Sequence, residues 1–240
     1  MKKLLFIVHC SLFIALAGCG GAPEIPPAKP IEEMYAEAYE NIDDKNYSEA
    51  AKVFLDIEST YPVGPWAADA LIMAVYSNYT ANDFAGALSA IDRFMRFHPG
   101  HKNADYVLYM KGMCFYRQVS DVRRESGMSG HALAAFSQLA QRFPDSEYAK
   151  NAQNKIIILK NYIAGKIMYS ARREMARQNY PVAIMNLQKI IQTMQDTQMT
   201  PEALYRLTEA YAAIGLGEQA DGYKKMLRLN FPESEWSKKL

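Results

Sequence analysis

From Ile31 onward, apolar residues recur at spacings of three and four, with almost no apolar–polar alternation. That period places them on one face of a helix and argues against half-buried strands. A longer pattern lies over it: an aromatic residue, an Ala three positions on, a large apolar residue four beyond that, then an aromatic-Pro or His-Pro pair. Tyr47-x-x-Ala50-x-x-x-Phe54 leads to Tyr61-Pro62, and Phe84-x-x-Ala87-x-x-x-Ile91 leads to His98-Pro99. Ala132-x-x-x-Phe136 leads to Phe143-Pro144, Tyr180-x-x-Ala183-x-x-x-Leu187 has no closing Pro, and Ala220 leads to Phe231-Pro232 with Lys224 in the large-apolar place. Successive Ala positions lie 37, 45, 51 and 37 residues apart, so a period of 37 with inserts of 8 and 14 covers all four intervals.

Each residue type has a physical reason. A small Ala lets the second helix of a pair approach the first, the large residue one turn later fills the gap, and Pro stops the helix. The pattern is that of tetratricopeptide repeats, slightly longer than their usual 34 residues. It predicts an all-α protein, an α-solenoid of about five helix pairs, with repeats one to three over 31–145 and repeats four and five over 146–240. The 8-residue insert falls near Ser120–Gly130, a polar stretch that reads as a loop. The 14-residue insert falls between Ser146 and Met175 with no Pro or loop cluster, which predicts longer helices there. Asp145-Ser146 and Glu233-Ser234, just past two of the Pro, are placed to cap the segments that follow.

The first 30 residues break the pattern. Lys2 and Lys3 precede Leu4–Gly18, an uncharged run apart from His9. It falls short of the ~20 apolar residues that span a bilayer and reads as a signal peptide over 1–18. The run ends in Leu16-Ala17-Gly18-Cys19, which resembles the bacterial lipobox, so Cys19 is expected to be the lipidated first residue of the mature chain, carrying diacylglycerol and an N-acyl chain. Each buried CH₂ contributes ~0.8 kcal/mol, so several acyl chains make a lasting anchor. By resemblance to lipoprotein sorting, Gly20 after the Cys favours the outer membrane. Gly20–Pro30 holds four Pro and two Gly, which excludes helix and ladder; as an extended tether it would reach roughly 34 Å.

Composition narrows the chemistry. Half of the 240 residues are apolar, enough to bury a core, and 27 basic against 26 acidic residues give no basic face of the kind nucleic acid requires. With Cys10 cleaved off and Cys19 acylated, Cys114 is the one thiol left, so stability must come from packing. Cys114 sits beside Met113 and Phe115 and reads as a buried small hydrophobe. His98-Pro99-Gly100-His101 supplies only two ligands, too few for a metal site, and no nucleophile motif or phosphate loop is present. No cofactor, metal or catalysis is expected.

In such arrays the first helix of each pair lines the concave face. Counting from each Ala and Pro, the groove-facing positions are Tyr35, Tyr39, Tyr76, Tyr79, Tyr106, Tyr109, Tyr116 and Arg117. Sixteen Tyr is a high count, and a Tyr-lined groove suits an extended peptide with aromatic residues, although any single Tyr could equally pack between helices. Arg117, Arg123 and Arg124 are placed to meet a peptide carboxylate, or else form a solvated loop edge. Lys150–Ile167 and Arg172–Met194 mix basic residues with Ile, Leu and Met: a docking surface for a folded partner, or part of the superhelix core.

Four stretches carry a family resemblance: Tyr61-Pro62-Val63-Gly64-Pro65, Ala90-Ile91-Asp92-Arg93-Phe94, Asp105-Tyr106-Val107-Leu108-Tyr109-Met110-Lys111-Gly112, and Asp121-Val122-Arg123-Arg124-Glu125. With the lipobox, they resemble the BamD family, lipoproteins of the outer-membrane β-barrel assembly machinery. The resemblance implies a non-enzymatic scaffold and receptor, lipid-anchored on the periplasmic face of the outer membrane. It implies binding of a BamA-like barrel subunit through that subunit's periplasmic domains at the C-terminal repeats, contact with other assembly lipoproteins, and capture of the C-terminal strands of unfolded outer-membrane proteins in the N-terminal repeats. The insert is short, and Gly217 and Lys224 stand where such repeats usually carry aromatic or apolar residues. The alternative is another periplasmic tetratricopeptide lipoprotein, coordinating cell-wall synthesis or secretion.

Overall fold

The computed structural model describes residues 29–119 and 127–240. Five antiparallel helix pairs follow one another: α1 (Ile31–Asp43) with α2 (Tyr47–Thr60), α3 (Pro65–Thr80) with α4 (Phe84–Phe97), α5 (Ala104–Tyr116) with α6 (Met128–Arg142), α7 (Glu147–Ala176) with α8 (Tyr180–Thr193), and α9 (Thr200–Ala213) with α10 (Gly217–Asn230). A four-residue helix, α11 (Glu235–Lys238), closes the chain. No strand occurs among the described residues. The repeat spacing therefore predicts the architecture correctly: an all-α array of tetratricopeptide-like pairs.

The signature residues sit where their sizes demand. Ala50, Ala87, Ala132 and Ala183 are completely buried, as are Phe54, Ile91, Phe136 and Leu187 one turn later. Gly112 on α5 shows how closely the helices of repeat three approach. A Cβ there would lie 2.3 Å from the Phe136 ring, so only a hydrogen fits. The turn within each pair is equally uniform: Lys45, Asn82, Gln178 and Gly215 all adopt the left-handed conformation, φ near +60° to +80°, at the same place in repeats one, two, four and five. The expected caps form at Ser146, whose Oγ accepts from the Tyr148 N–H at 3.1 Å, and at Ser234, whose Oγ accepts from the Ser237 N–H at 3.1 Å.

The 14-residue insert is a helix extension, as expected: α7 runs uninterrupted for 30 residues. Its two halves belong to different cores. Ala149, Ala152, Ile156 and Leu159 pack with Phe136 and Leu139 of repeat three. Ala164, Met168 and Ala171 pack with Leu187, Ile190, Ala203 and Leu207 of repeats four and five. The repeat boundary at 145/146 falls in the turn before α7, while the change of core falls inside the helix. Two arrays are thus joined by one continuous rod. At the far end α10 buries only Ala220 and Leu227, and α11 covers α9 through Trp236, whose ring meets Tyr205 at 5.3 Å.

Candidate functional site

Two adjoining cavities run along the first helices of repeats one to three. The first, about 450 Å³, is lined by Tyr35 and Tyr39 of α1, Trp66, Asp69, Ile72 and Met73 of α3, and Asn103. The second, about 360 Å³, shares Ile72, Met73 and Asn103 and adds Tyr76, Tyr106 and Tyr148. Together they form one groove crossing α1, α3, α5 and the start of α7. Its rings touch from helix to helix: Tyr35 stacks on Tyr39 at 6.2 Å and meets Trp66 at 5.9 Å, while Tyr106 meets Tyr148 at 5.3 Å. Offset and tilted pairs of this kind are favourable, so the rings hold one another in place.

Four of the eight expected groove residues, Tyr35, Tyr39, Tyr76 and Tyr106, line these cavities. The other four do not. Tyr79 turns into helix packing edge-on to Phe84 at 5.9 Å, and Tyr116 packs edge-on to Phe136 at 6.3 Å. Tyr109 meets Phe136 and Tyr148, donates to Asn151 Oδ1 at 3.0 Å, and has Lys155 Nζ over its ring at 5.5 Å. Arg117 is exposed at the C-terminal end of α5, beyond the two cavities. Arg123, Arg124 and Cys19 lie outside the described residues.

The residue count alone misses Trp66, Met73, Asn103 and Tyr148. Trp66 and Tyr148 each occupy the second position of the first helix in a repeat, so aligning the repeats position by position would have shown them. Burial pushes the Tyr35 and Tyr106 hydroxyls up to about 12, and it raises Tyr79 as well. These phenols therefore stay protonated and neutral at physiological pH. Tyr35 Oη donates to the Trp66 carbonyl at 2.9 Å, tying α1 to α3 at the mouth of the groove.

A third cavity, about 460 Å³, lies between α7 and α9 and is lined by Arg172, Met175, Ala176, Tyr180, Arg206, Glu209 and Ala213. Beside it, buried Glu202 accepts hydrogen bonds from Arg172 and Arg206, and Arg206 also donates to Glu209 at 3.0 Å. Burial raises the Glu202 carboxyl, but the hydrogen bonds and charges of the two arginines outweigh it, and the net shift is downward. With Glu202 beside it, two arginines meet two glutamates within the protein, which makes this a structural ion network.

The thiol and the imidazoles are taken up by packing. Cys114 is completely buried, and burial pushes its thiol up to about 12, far from a nucleophilic thiolate. His98 and His101 both pack against Phe94, at 5.8 and 5.6 Å. Among the described residues no three His, Cys, Asp or Glu side chains gather around a metal-sized site, and no helix is long and apolar enough to cross a membrane.

The family model described as "Outer membrane lipoprotein", YfiO, matches residues 27–227, which takes in every helix from α1 to most of α10. The chain belongs to the YfiO family. Among YfiO-like relatives, it is 35% identical to the outer membrane protein assembly factor BamD of Caulobacter vibrioides, covering 92% of this chain and 74% of that one. It is 33% identical to the outer membrane protein assembly factor BamD of Neisseria meningitidis serogroup A, covering 98% and 93%. Among solved structures, the tetratricopeptide domain of P58(IPK) matches at a TM-score of 0.45 and 12% identity, covering 85% of this chain and 52% of that one.

Proposed function

We propose that this YfiO-family protein is a non-catalytic scaffold and receptor in the assembly of β-barrel proteins into the outer membrane. The observation that carries the reading is the continuous aromatic groove over repeats one to three, found in a chain related over nearly its whole length to factors named for outer membrane protein assembly. An extended strand presents alternate side chains to one surface, and neutral Tyr and Trp rings with polar tips give it apolar faces and hydrogen-bond donors. The groove receives the C-terminal strands of unfolded outer-membrane proteins. Repeats four and five, rich in exposed basic and apolar residues on α7 and α8, dock the periplasmic domains of a BamA-like barrel subunit, and neighbouring assembly lipoproteins bind the same array. Cys19 carries the acyl chains, and the 19–30 tether holds the body against the periplasmic face of the membrane.

Affinity purification of the tagged protein from detergent-solubilised outer membranes, with mass identification of what co-elutes, tests this directly. Recovery of a large β-barrel protein with periplasmic domains is expected. Recovery of cell-wall or secretion components in its place would overturn the function while leaving the fold intact. The anchor has its own test. Cys19→Ala should abolish membrane fractionation of the processed protein, and unchanged fractionation would refute it.

A further inference from the structure

The groove differs chemically along its length. At its outer end three rings and one carboxylate share a cavity: Tyr35, Tyr39, Trp66 and, one turn along α3 from Trp66, Asp69. Tyr39 and Trp66 are each about half exposed (47% and 48%), so their ring surface is incompletely covered by this chain. The Asp69 carboxylate is 54% exposed, and the basic group facing it is His101, with Nε2 at 4.0 Å. His101 Nδ1 accepts from the Asn103 N–H at 3.3 Å, so the neutral ring turns an N–H, not a lone pair, toward Asp69. No Lys or Arg lines either cavity.

The surrounding charge has the same sign. α1 carries Glu32, Glu33, Glu37, Glu40 and Asp43 and no basic residue. Glu32 and Asp43 stand three positions before Tyr35 and four after Tyr39, on the face those rings occupy. The field of Asp69 reaches the rings: after burial, its charge is the next cause holding the Tyr35 hydroxyl protonated. An anion entering here, such as a peptide's terminal carboxylate, would meet like charge, with only the His101 imidazole beside Asp69 and Lys29, already paired with Glu37, to offset it. Aromatic faces beside a carboxylate suit a cation.

We propose that Tyr35, Tyr39, Trp66 and Asp69 form a subsite for the Lys or Arg side chain of an extended segment, and that this end of the groove does not take the segment's terminal carboxylate. The inference rests on the peptide-groove reading above. The aliphatic stem of the basic side chain lies along the rings while its head reaches Asp69, and aromatic residues of the same segment occupy the cavity of Tyr76, Tyr106 and Tyr148.

Fluorescence anisotropy of the full-length protein in detergent tests it with labelled ten-residue peptides of alternating aromatic and polar residues. All are amidated at the C-terminus and carry Lys, Gln or Glu at both the second and the ninth positions, so that either orientation presents the charge. The Lys peptide should bind about 3- to 10-fold tighter than the Gln peptide at low salt, and the Glu peptide more weakly than either. Asp69→Asn should bring the Lys/Gln ratio close to one. Equal binding of Lys and Gln peptides, or a Lys preference that survives Asp69→Asn, would overturn the subsite and leave the groove standing. Tighter binding of a free-acid Gln peptide than its amide, abolished by Asp69→Asn, would overturn it too. Failure of all the peptides to bind would remove the groove reading and the subsite together.

Discussion

The two arrays joined by α7 are built on one backbone plan and expose different chemistry. In α1 and α2 eight acidic residues stand against one basic residue, and the exposed aromatics Tyr39, Trp66, Tyr76 and Tyr148 converge on one groove. In α7 and α8 seven basic residues stand against two acidic, and beyond Tyr148 the exposed apolar residues, among them Ile158, Tyr169 and Met185, line none of the three cavities described above. The ion networks differ as well. In repeats four and five Glu174 and Glu202 each hold several partners, whereas in repeat one Glu58 pairs with Arg93 of the next repeat. A repeat fold therefore fixes which residues are core and leaves each outer surface free to diverge, since a helix pair packs through one stripe and shows the rest to solvent.

The strongest way to break the comparison is to break the rod. Ile163 lies where the second core begins on α7, and Ile163→Pro removes a helix hydrogen bond and clashes with the preceding turn, costing about 3 kcal/mol or more. Calorimetry should then show two well-separated transitions, where an intact α7 should hold the two arrays' transitions close together. A single, merely lowered transition would mean that the arrays are coupled by more than α7.

Overpacking one side alone comes next. Gly112→Ala forces a methyl into the Phe136 ring and should destabilise by about 1–3 kcal/mol. In denaturant unfolding, the Trp66 signal should shift and the Trp236 signal lag behind, because the two tryptophans sit at opposite ends of the molecule.

Acid sharpens the contrast from the other side. Glu174, Asp196 and Glu202 are all held below the ordinary carboxylate range. For Glu174 the main cause is the hydrogen bond from Asn179, for Asp196 that from Lys160, and for Glu202 burial is outweighed by its two arginines. A folded-state pKa below the unfolded value gives stability that is full above the unfolded value, near pH 4, and is lost as pH falls through the folded one. All three groups lie in repeats four and five, so Trp236 fluorescence should respond to acid before Trp66. Simultaneous transitions would count against it.

The smallest effect is a control. Lys150 and Glu147 form an exposed pair one turn apart on α7, and Lys150→Ala should move stability by no more than about 0.5 kcal/mol.

Much of this was readable along the chain. The Ala spacing, the closing Pro and the Ser caps are local signals, since a helix's buried stripe and its ends are encoded within a few turns of the residues that make them. The family resemblance in Tyr61–Pro65 and Asp105–Gly112 was equally plain. Tyr79, Tyr109 and Tyr116 share the concave-side count with Tyr76 and Tyr106, yet they turn into helix packing, because which ring faces the groove depends on how far each pair is rotated against the next. The same rotation brings Asp69 beside Tyr35, 34 residues away in sequence, and seats Tyr148 against Tyr106.

By itself, then, the sequence determined the helices, their pairing, their order and the family, all properties of short-range periodicity and of repeats that contact only their neighbours. Tertiary structure alone decided that α7 serves two cores at once, and which aromatic rings meet around Asp69. Both depend on the angle between helices from different pairs, and that angle is set by the packing of many buried side chains together.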